Sequence, residues 1–298
     1  FFYLQDDWKP TRNLTLNLGV RYEYSTPQYV DNNKLANFDP VSNTLVQAKA
    51  GSSYDRGLVN PDKNNFAPRV GAAWTVNPKT VIRGAFGVSY IQFNRMGGEN
   101  LLAYNLPNIV NPTIDQIPTA GGTSGLPLCT STAQAPGTCF RTTMMGYPDN
   151  FLSVANVKQI NVRANYIPSD YKTSYIKTFH VTVQRELAKN LMLDVGYVGT
   201  RGVGLMILGD YNQARPNGAN ENLSLQARRP NQAFGLIQIA WGGGFLNYNA
   251  MQVKLEKKFS QGFYLLNSFT WSKAIDNASG HLEANNGDNS RVNYRDLR

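Results

Sequence analysis

No stretch of about 18 consecutive apolar residues occurs anywhere in the 298-residue chain, which excludes a helical membrane span. That shortage says nothing against membrane crossing by strands, which need only alternate. Histidine is scarce as well, with His180 and His281 the only two. His180 lies within a strand pattern and reads as a polar wall residue rather than a general base. His281, in HLEANNGD, reads as a solvated loop residue. Cysteine is limited to Cys129 and Cys139, which enclose CTSTAQAPGTC. Their spacing is too wide for a zinc knuckle and neither histidine is near in sequence, so no metal centre is expected. They are a disulfide candidate, with two free thiols as the alternative; an oxidising compartment favours the bridge. The GTRGVG stretch at Gly199–Gly204 superficially resembles a phosphate loop but has no following helix signal and no Lys followed by Ser or Thr, so a flexible strand exit is the better reading. Gly242 to Gly244, beside Trp241, are expected to be flexible loop, with a shaped ligand contact as the alternative. With these absences together, no catalytic site and no cofactor are expected.

Acidic residues are also in deficit, 20 against 29 Lys and Arg, for a net charge of +9. A nucleic-acid partner would need a basic stripe or tail. Instead the excess is scattered through strands and short turns, as at Arg12, Arg21, Arg69, Lys79, Arg83 and Lys189, so no nucleic-acid partner is expected. The chain begins at Phe1 with no charged and apolar leader pattern, and the expectation is a piece of something longer.

What is present is a rhythm of turns. Short polar turns near Pro10–Asn13, Asn77–Lys79, Leu187–Asn190 and Ser260–Gly262 alternate with long polar loops near 26–65, 93–174, 203–246 and 274–298. A strand of alternating residues lies on either side of each short turn. From Leu14 to Tyr24, one face reads Leu14, Leu16, Leu18, Val20, Tyr22, Tyr24 and the other Thr15, Asn17, Gly19, Arg21, Glu23. A period of two over that length fits a tilted bilayer crossing. In the third hairpin Phe179, Val181 and Val183 share a face whose ends carry Lys177 and Arg185, which is where a membrane tolerates charge. In FFYLQDDWK, one of Asp6 and Asp7 must fall on the apolar face. Trp8, Trp74 and Phe259 precede short turns, whereas Tyr22, Tyr24, Tyr90, Tyr197 and Trp271 approach long loops, which predicts two aromatic belts.

The expected fold is therefore all-β: an antiparallel up-and-down transmembrane β-barrel segment of about eight strands in four hairpins, with short periplasmic turns and long extracellular loops. The whole chain, 1–298, is expected to be one partial barrel domain. Arg21, Glu23, Arg69, Arg83, Asp194, Lys254, Glu256 and Lys258 fall on the polar face and are lumen-facing candidates. Among the loops, Tyr147, Tyr166, Tyr211, Arg228, Arg229 and Trp241 are the candidates for contacting a ligand.

The segments YLQDDWKPTRNLTLNLGVRYEY, NNFAPRVGAAWTVNPKTVIRGAFGVSY, VQRELAKNLMLDVGYVGTRG and NYNAMQVKLEKKFSQGFYLLNSFTWSKAID resemble the barrel of TonB-dependent outer-membrane receptors. The subgroup is the one with a carboxypeptidase-regulatory-like domain before the plug. The resemblance implies a location in the bacterial outer membrane and a larger barrel around a plug, with a periplasmic energy-coupling protein as partner. Plug, coupling motif and remaining strands are expected outside this chain. The lumen-facing charges would contact the plug, and the function implied is energy-coupled uptake of a large solute. A passive porin or an adhesive surface barrel is the alternative, and a secreted carbohydrate-binding sandwich a third. The solute is not legible.

Overall fold

The computed structural model describes residues 1–91, 102–109, 126–134, 138–149, 162–219, 223–260 and 262–277. His281 and most of the expected terminal loop lie outside the described residues. The chain forms β1 (Phe2–Thr11), β2 (Leu14–Tyr22), β3 (Ala36–Asp39), β4 (Thr44–Gln47), a short helix α1 (Ser53–Gly57), β5 (Phe66–Asn77), β6 (Thr80–Ile91), β7 (Val162–Tyr166), β8 (Ser174–Ala188), β9 (Leu191–Asp210), β10 (Phe234–Ser260) and β11 (Phe263–Asp276). The main sheet runs β1-β2-β5-β6-β8-β9-β10-β11, each neighbour antiparallel, with β7 added parallel to β10. Those eight neighbours are the expected strands in their expected hairpins.

Each hairpin closes tightly. The last pairs before the turns are Thr11 with Leu14, Asn77 with Thr80, Ala188 with Leu191 and Ser260 with Phe263, and each follows a register shift on the incoming strand. Asn190 and Gly262 take positive φ there, 64° and 78°. An extra residue with a left-handed position is how a short antiparallel loop closes without splaying its strands.

Because directly paired residues share a face, the register sorts the wall unambiguously. One row joins Ile82, Val183, Val195 and Val253 across β6, β8, β9 and β10. The next strand position joins Arg83, Thr182, Gly196 and Gln252 on the other face. The apolar side is left exposed, with Val181 52% and Phe269 55% accessible. Asp6 is the residue that falls on it, opposite Leu18, whereas Asp7 faces the polar side and accepts from Asn17 at 2.5 Å.

An aromatic row crosses the long-loop end of the apolar face. Tyr22 is paired with Phe66, their rings 4.9 Å apart, and Tyr90 with Tyr175, at 5.8 Å. Trp8 and Trp74 mark the short-turn end, paired with Leu16 and Leu14. These are the two expected belts, with a correction for Tyr197 and Trp271. Since β9 continues to Asp210, Tyr197 lies well inside the wall, opposite Val181 and Met251, where its hydroxyl donates to Asn249 Oδ1 at 2.6 Å. Trp271 pairs with Met251 in the same row.

The loop boundaries are also revised. The expected loop at 203–246 is largely strand, because β9 and β10 stay paired from the wall out to Asp210 and Gln238. Gly199–Gly204, expected to be a flexible exit, and Gly242–Gly244, expected to be loop, belong to this ribbon. Gly204 takes φ 62°, and the backbone of Gly204 sits where a Cβ on Gly242 would come within 3.0 Å of its oxygen. The glycines let two backbones approach across a bulge.

Around that ribbon the long loops fold into a layer with its own core. Among the described residues, apart from Ala67, Val88 and Ala250, and the two cysteines, the buried apolar side chains lie there. Leu35, Leu58, Leu102, Ile167, Met206 and Leu208 form one cluster. Phe38 centres the other, its ring 5.4 Å from Phe234, 5.8 Å from Tyr211 and 5.9 Å from Tyr166. Irregular backbone buried this way needs substitute partners. Three buried asparagines supply them. Asn105 donates to the carbonyls of Ala36 and Asn165, each at 2.8 Å, and accepts from Asn165 N at 2.7 Å. Asn37 bridges to the backbone of Leu58 and Ile167, and Asn212 to Asn231, Phe234 and Gly235.

Candidate functional site

Two surfaces carry the chemistry: the polar face of the wall and the loop layer. On the first, the pairing register puts Arg21, Arg69, Arg83, Asp194, Lys254 and Glu256 on one side of the sheet. Glu23 follows in the same alternation just past β2, and Lys258 lies beside the β8–β9 turn, its amide donating to Asn190 O at 2.8 Å. Charges there are arranged in local pairs. Arg21 is bonded to Glu23, Lys254 to Glu256 at 2.7 Å, and Arg83 Nη1 donates to Gln184 Oε1 at 2.9 Å. Asp194 stands between Gln184 and Lys254 in register.

Arg69 differs. Its register partners are Gly19 and Gly87, and among the described residues its guanidinium makes no hydrogen bond or ion pair. It rises from a floor of small residues beside a concavity of about 420 Å³ that also touches Gln5, Asn17, Ser89, Thr178 and His180. His180 is exposed there, opposite Ala85 and Val198. Among the described residues no group of acidic, histidine or cysteine side chains could hold a metal ion.

In the loops, the structure separates the candidates that residue type alone had grouped. Tyr166 and Tyr211 belong to the Phe38 aromatic cluster, their own rings 5.4 Å apart. Arg229 is ion-paired with Asp210 at 2.8 Å and donates to Asn212 O, while Arg228 donates to the carbonyls of Leu223 and Arg215, so both close the β9–β10 loop. Trp241 is paired with Ile207 in the ribbon. Tyr147 is 51% exposed, in the segment that follows the loop closed by the Cys129–Cys139 disulfide. Arg141, 5% exposed, reinforces that segment by donating to the carbonyls of Thr132, Gln134 and Gly146.

A feature that residue patterns did not reveal is a partly enclosed cavity of about 80 Å³ within the loop layer. Pro27, Leu35, Val59, Leu102, Ile167 and Tyr171 give it an apolar lining. Asp62 lies at its edge, accepting from Thr173 N at 2.9 Å. Burial pushes the Tyr171 phenol above its ordinary pKa, so it stays a neutral hydroxyl within hydrogen-bonding distance of Ser174, at 3.2 Å. Loop residues far apart in sequence build this cavity, so no local signal marks it.

The family described as outer membrane beta barrel domain matches residues 1–298. No curated protein matches the chain. Among solved structures, the outer membrane transporter YddB from Escherichia coli is similar at 13% identity and a TM-score of 0.47, over 92% of this chain and 24% of that one. The siderophore receptor PirA from Acinetobacter baumannii is similar at 11% identity and 0.43, over 91% and 27%. The FrpB iron transporter from Neisseria meningitidis gives 8% identity and 0.42, over 94% and 27%. The chain thus spans about a quarter of the length of these structures.

Proposed function

This chain belongs to the outer membrane beta barrel domain family and resides in the bacterial outer membrane, and on that premise we propose that it forms part of a receptor for energy-coupled uptake of a large solute. One observation supports this reading above the others. The wall pairs a lipid-compatible face with a second face that carries paired charges, and its long-loop side bears a packed layer rather than loose connections. A polar lumen with folded outer loops suits selective capture more than free diffusion.

In this reading the outer layer captures the solute, Tyr147 and Trp241 being the loop candidates outside the aromatic core. The polar face then contacts a plug contributed by another part of the polypeptide. Arg69, without a partner among the described residues, is the side chain best placed to bond an acidic group on that plug. A periplasmic coupling protein supplies the work. The resemblance to TonB-dependent receptors motivates these last assignments.

The experiment compares a strain lacking the full-length gene with its parent. Depletion of organic solutes from defined medium is followed by mass spectrometry, with and without a protonophore. A solute taken up only by the parent, and only while the proton gradient stands, is the expected result. Identical depletion by both strains would refute uptake. Gene-dependent uptake that ignores the protonophore would make the protein a passive channel instead.

A further inference from the structure

The cavity in the outer layer is walled by three stretches of chain, 25–29, 56–62 and 167–173, that are stitched to one another. Gly57 closes against the first, where a Cβ would come within 2.7 Å of Pro27 Cβ, and beside that contact the Arg56 guanidinium lies over the Tyr29 ring at 3.6 Å. Asn60 N donates to Ser169 O at 2.7 Å, and Thr173 N to Asp62 Oδ2 at 2.9 Å, which joins the second stretch to the third. Leu35, Leu102 and Ile167, all buried, complete the apolar lining. Walls fixed by their own contacts do not have to be ordered by an occupant.

One charge stands in this apolar setting. Among the described residues that line the cavity, Asp62 is the only ionisable side chain apart from the neutral Tyr171 hydroxyl, which is engaged with Ser174. The Asp62 side chain is 10% exposed. Its Oδ2 takes the Thr173 amide, but Oδ1 accepts no hydrogen bond among the described residues; its neighbour is the Lys172 ammonium, 3.9 Å away on a side chain that is 72% exposed. That separation is beyond hydrogen-bonding reach, and a loose pair at the surface contributes little. A carboxylate oxygen so far removed from water costs free energy until a donor meets it. In a chain of net charge +9, this cavity therefore favours a cation. At about 80 Å³ it is well below the roughly 150 Å³ of an apolar cavity that admits benzene, so it takes a compact alkyl branch and not a whole solute.

We propose that this cavity binds an organic ammonium ion carrying a compact branched alkyl group, of the kind presented by a peptide with leucine or valine at its amino terminus. The alkyl branch fills the apolar interior against Leu35 and Ile167, and the ammonium donates to Asp62 Oδ1 at the edge in a charge-assisted bond. A free carboxylate beside the amine would meet Asp62 with like charge, so an amide or peptide continuation is favoured over the free amino acid. The proposal takes solute capture by the outer layer from the reading above, on which it rests, and adds the class of group captured.

The test uses the full-length protein in mild detergent, titrated calorimetrically at about pH 6.5, where an α-amino group is protonated, with protein-free micelles as the blank. The probes are leucinamide, glycinamide, which lacks the alkyl branch, and isocaproamide, which is leucinamide without its amine. Leucinamide is expected to bind about tenfold more tightly than either, since each of the others loses the alkyl burial or the charged hydrogen bond. Asp62→Asn keeps an acceptor for Thr173 N and is expected to lower leucinamide affinity about tenfold while leaving isocaproamide unchanged. Equal wild-type affinity for leucinamide and isocaproamide would overturn the cation site, and equal affinity for leucinamide and glycinamide the alkyl pocket. Either result sinks the proposal even if Asp62→Asn fails to fold. Absence of leucinamide binding by a protein that still supports gene-dependent uptake would refute this inference alone and leave the transport reading intact.

Discussion

Replacing Val181 by lysine is expected to be the costliest single charge insertion in the wall, and its immediate neighbour His180 among the least costly. Val181 is the central residue of the 15-residue β8, with seven residues to either end. At about 3.3 Å per residue and a tilt near 45°, that leaves it about 16 Å from each end along the membrane normal. A lysine stem cannot carry its ammonium that far to an interface. Its register partners, Gly84 and Tyr197, offer no carboxylate. The full penalty for a cation near mid-bilayer should therefore appear, about 2 to 4 kcal/mol. His180 points the other way, opposite Ala85 and Val198, on the polar face. A lysine there stays wet and should cost within about 0.5 kcal/mol, as for other surface substitutions. Denaturant unfolding of the full-length variants in phospholipid vesicles, followed by tryptophan fluorescence, measures both. Equal costs, or a larger cost for His180→Lys than for Val181→Lys, would refute the assignment of faces.

Gly199 lies under the Phe179 ring, and a Cβ there would come within 2.3 Å of it. Gly199→Ala should displace the ring and destabilise by about 1 to 3 kcal/mol, whereas the same change in a Phe179→Ala background should cost much less, a coupling that a double-mutant cycle in vesicles reads directly. Asn105→Leu strips partners from Ala36 O, Asn165 O and Asn165 N, so amide exchange across β3 and β7 should accelerate by at least tenfold, on the basis of about 1 to 3 kcal/mol per buried polar group left unmade, while β8 exchange stays unchanged. The Asp55 carboxyl is held below its ordinary pKa by the Ser52 hydroxyl and amide at the start of α1. A depressed folded-state pKa gives stability that is present above the unfolded aspartate value and disappears as the pH falls through the folded one. Exchange protection at Leu58 should accordingly be intact at neutral pH and drop in acid below the usual aspartate range, and Asp55→Asn should abolish that dependence.

How legible the fold was depended on whether an element's partner was local. Each short hairpin declares itself, because Leu14–Tyr22 and Thr80–Ile91 alternate against one apolar environment and one aqueous one, and each meets its mate across two residues. The outer half of the β9–β10 ribbon lacks that signature. Met206, Ile207 and Leu208 are all buried, since loops cover both of their faces, and a consecutive apolar run carries no period of two. β7 was invisible for a different reason: its parallel partner lies some seventy residues away, Ala164 against Ile237. The charged faces of the wall followed from alternation alone. Loop candidates did not, because an aromatic ring looks the same in sequence whether it closes a core, as Tyr166 and Tyr211 do, or stands exposed, as Tyr147 does.

The 27-residue β10 belongs to both halves of the molecule, with Met251 on the lipid-compatible face and Ile237 in the core of the outer layer. Its contour, about 90 Å at strand spacing, makes it a spar fixed in the hull at one end and carrying the superstructure at the other. A load applied to the outer layer therefore travels down continuous backbone, braced by the ladder to β9, and arrives among the polar-face groups Gln252, Lys254 and Glu256 after crossing only the bulged stretch of that ladder. The bulges at Trp241–Phe245 are where that spar can twist.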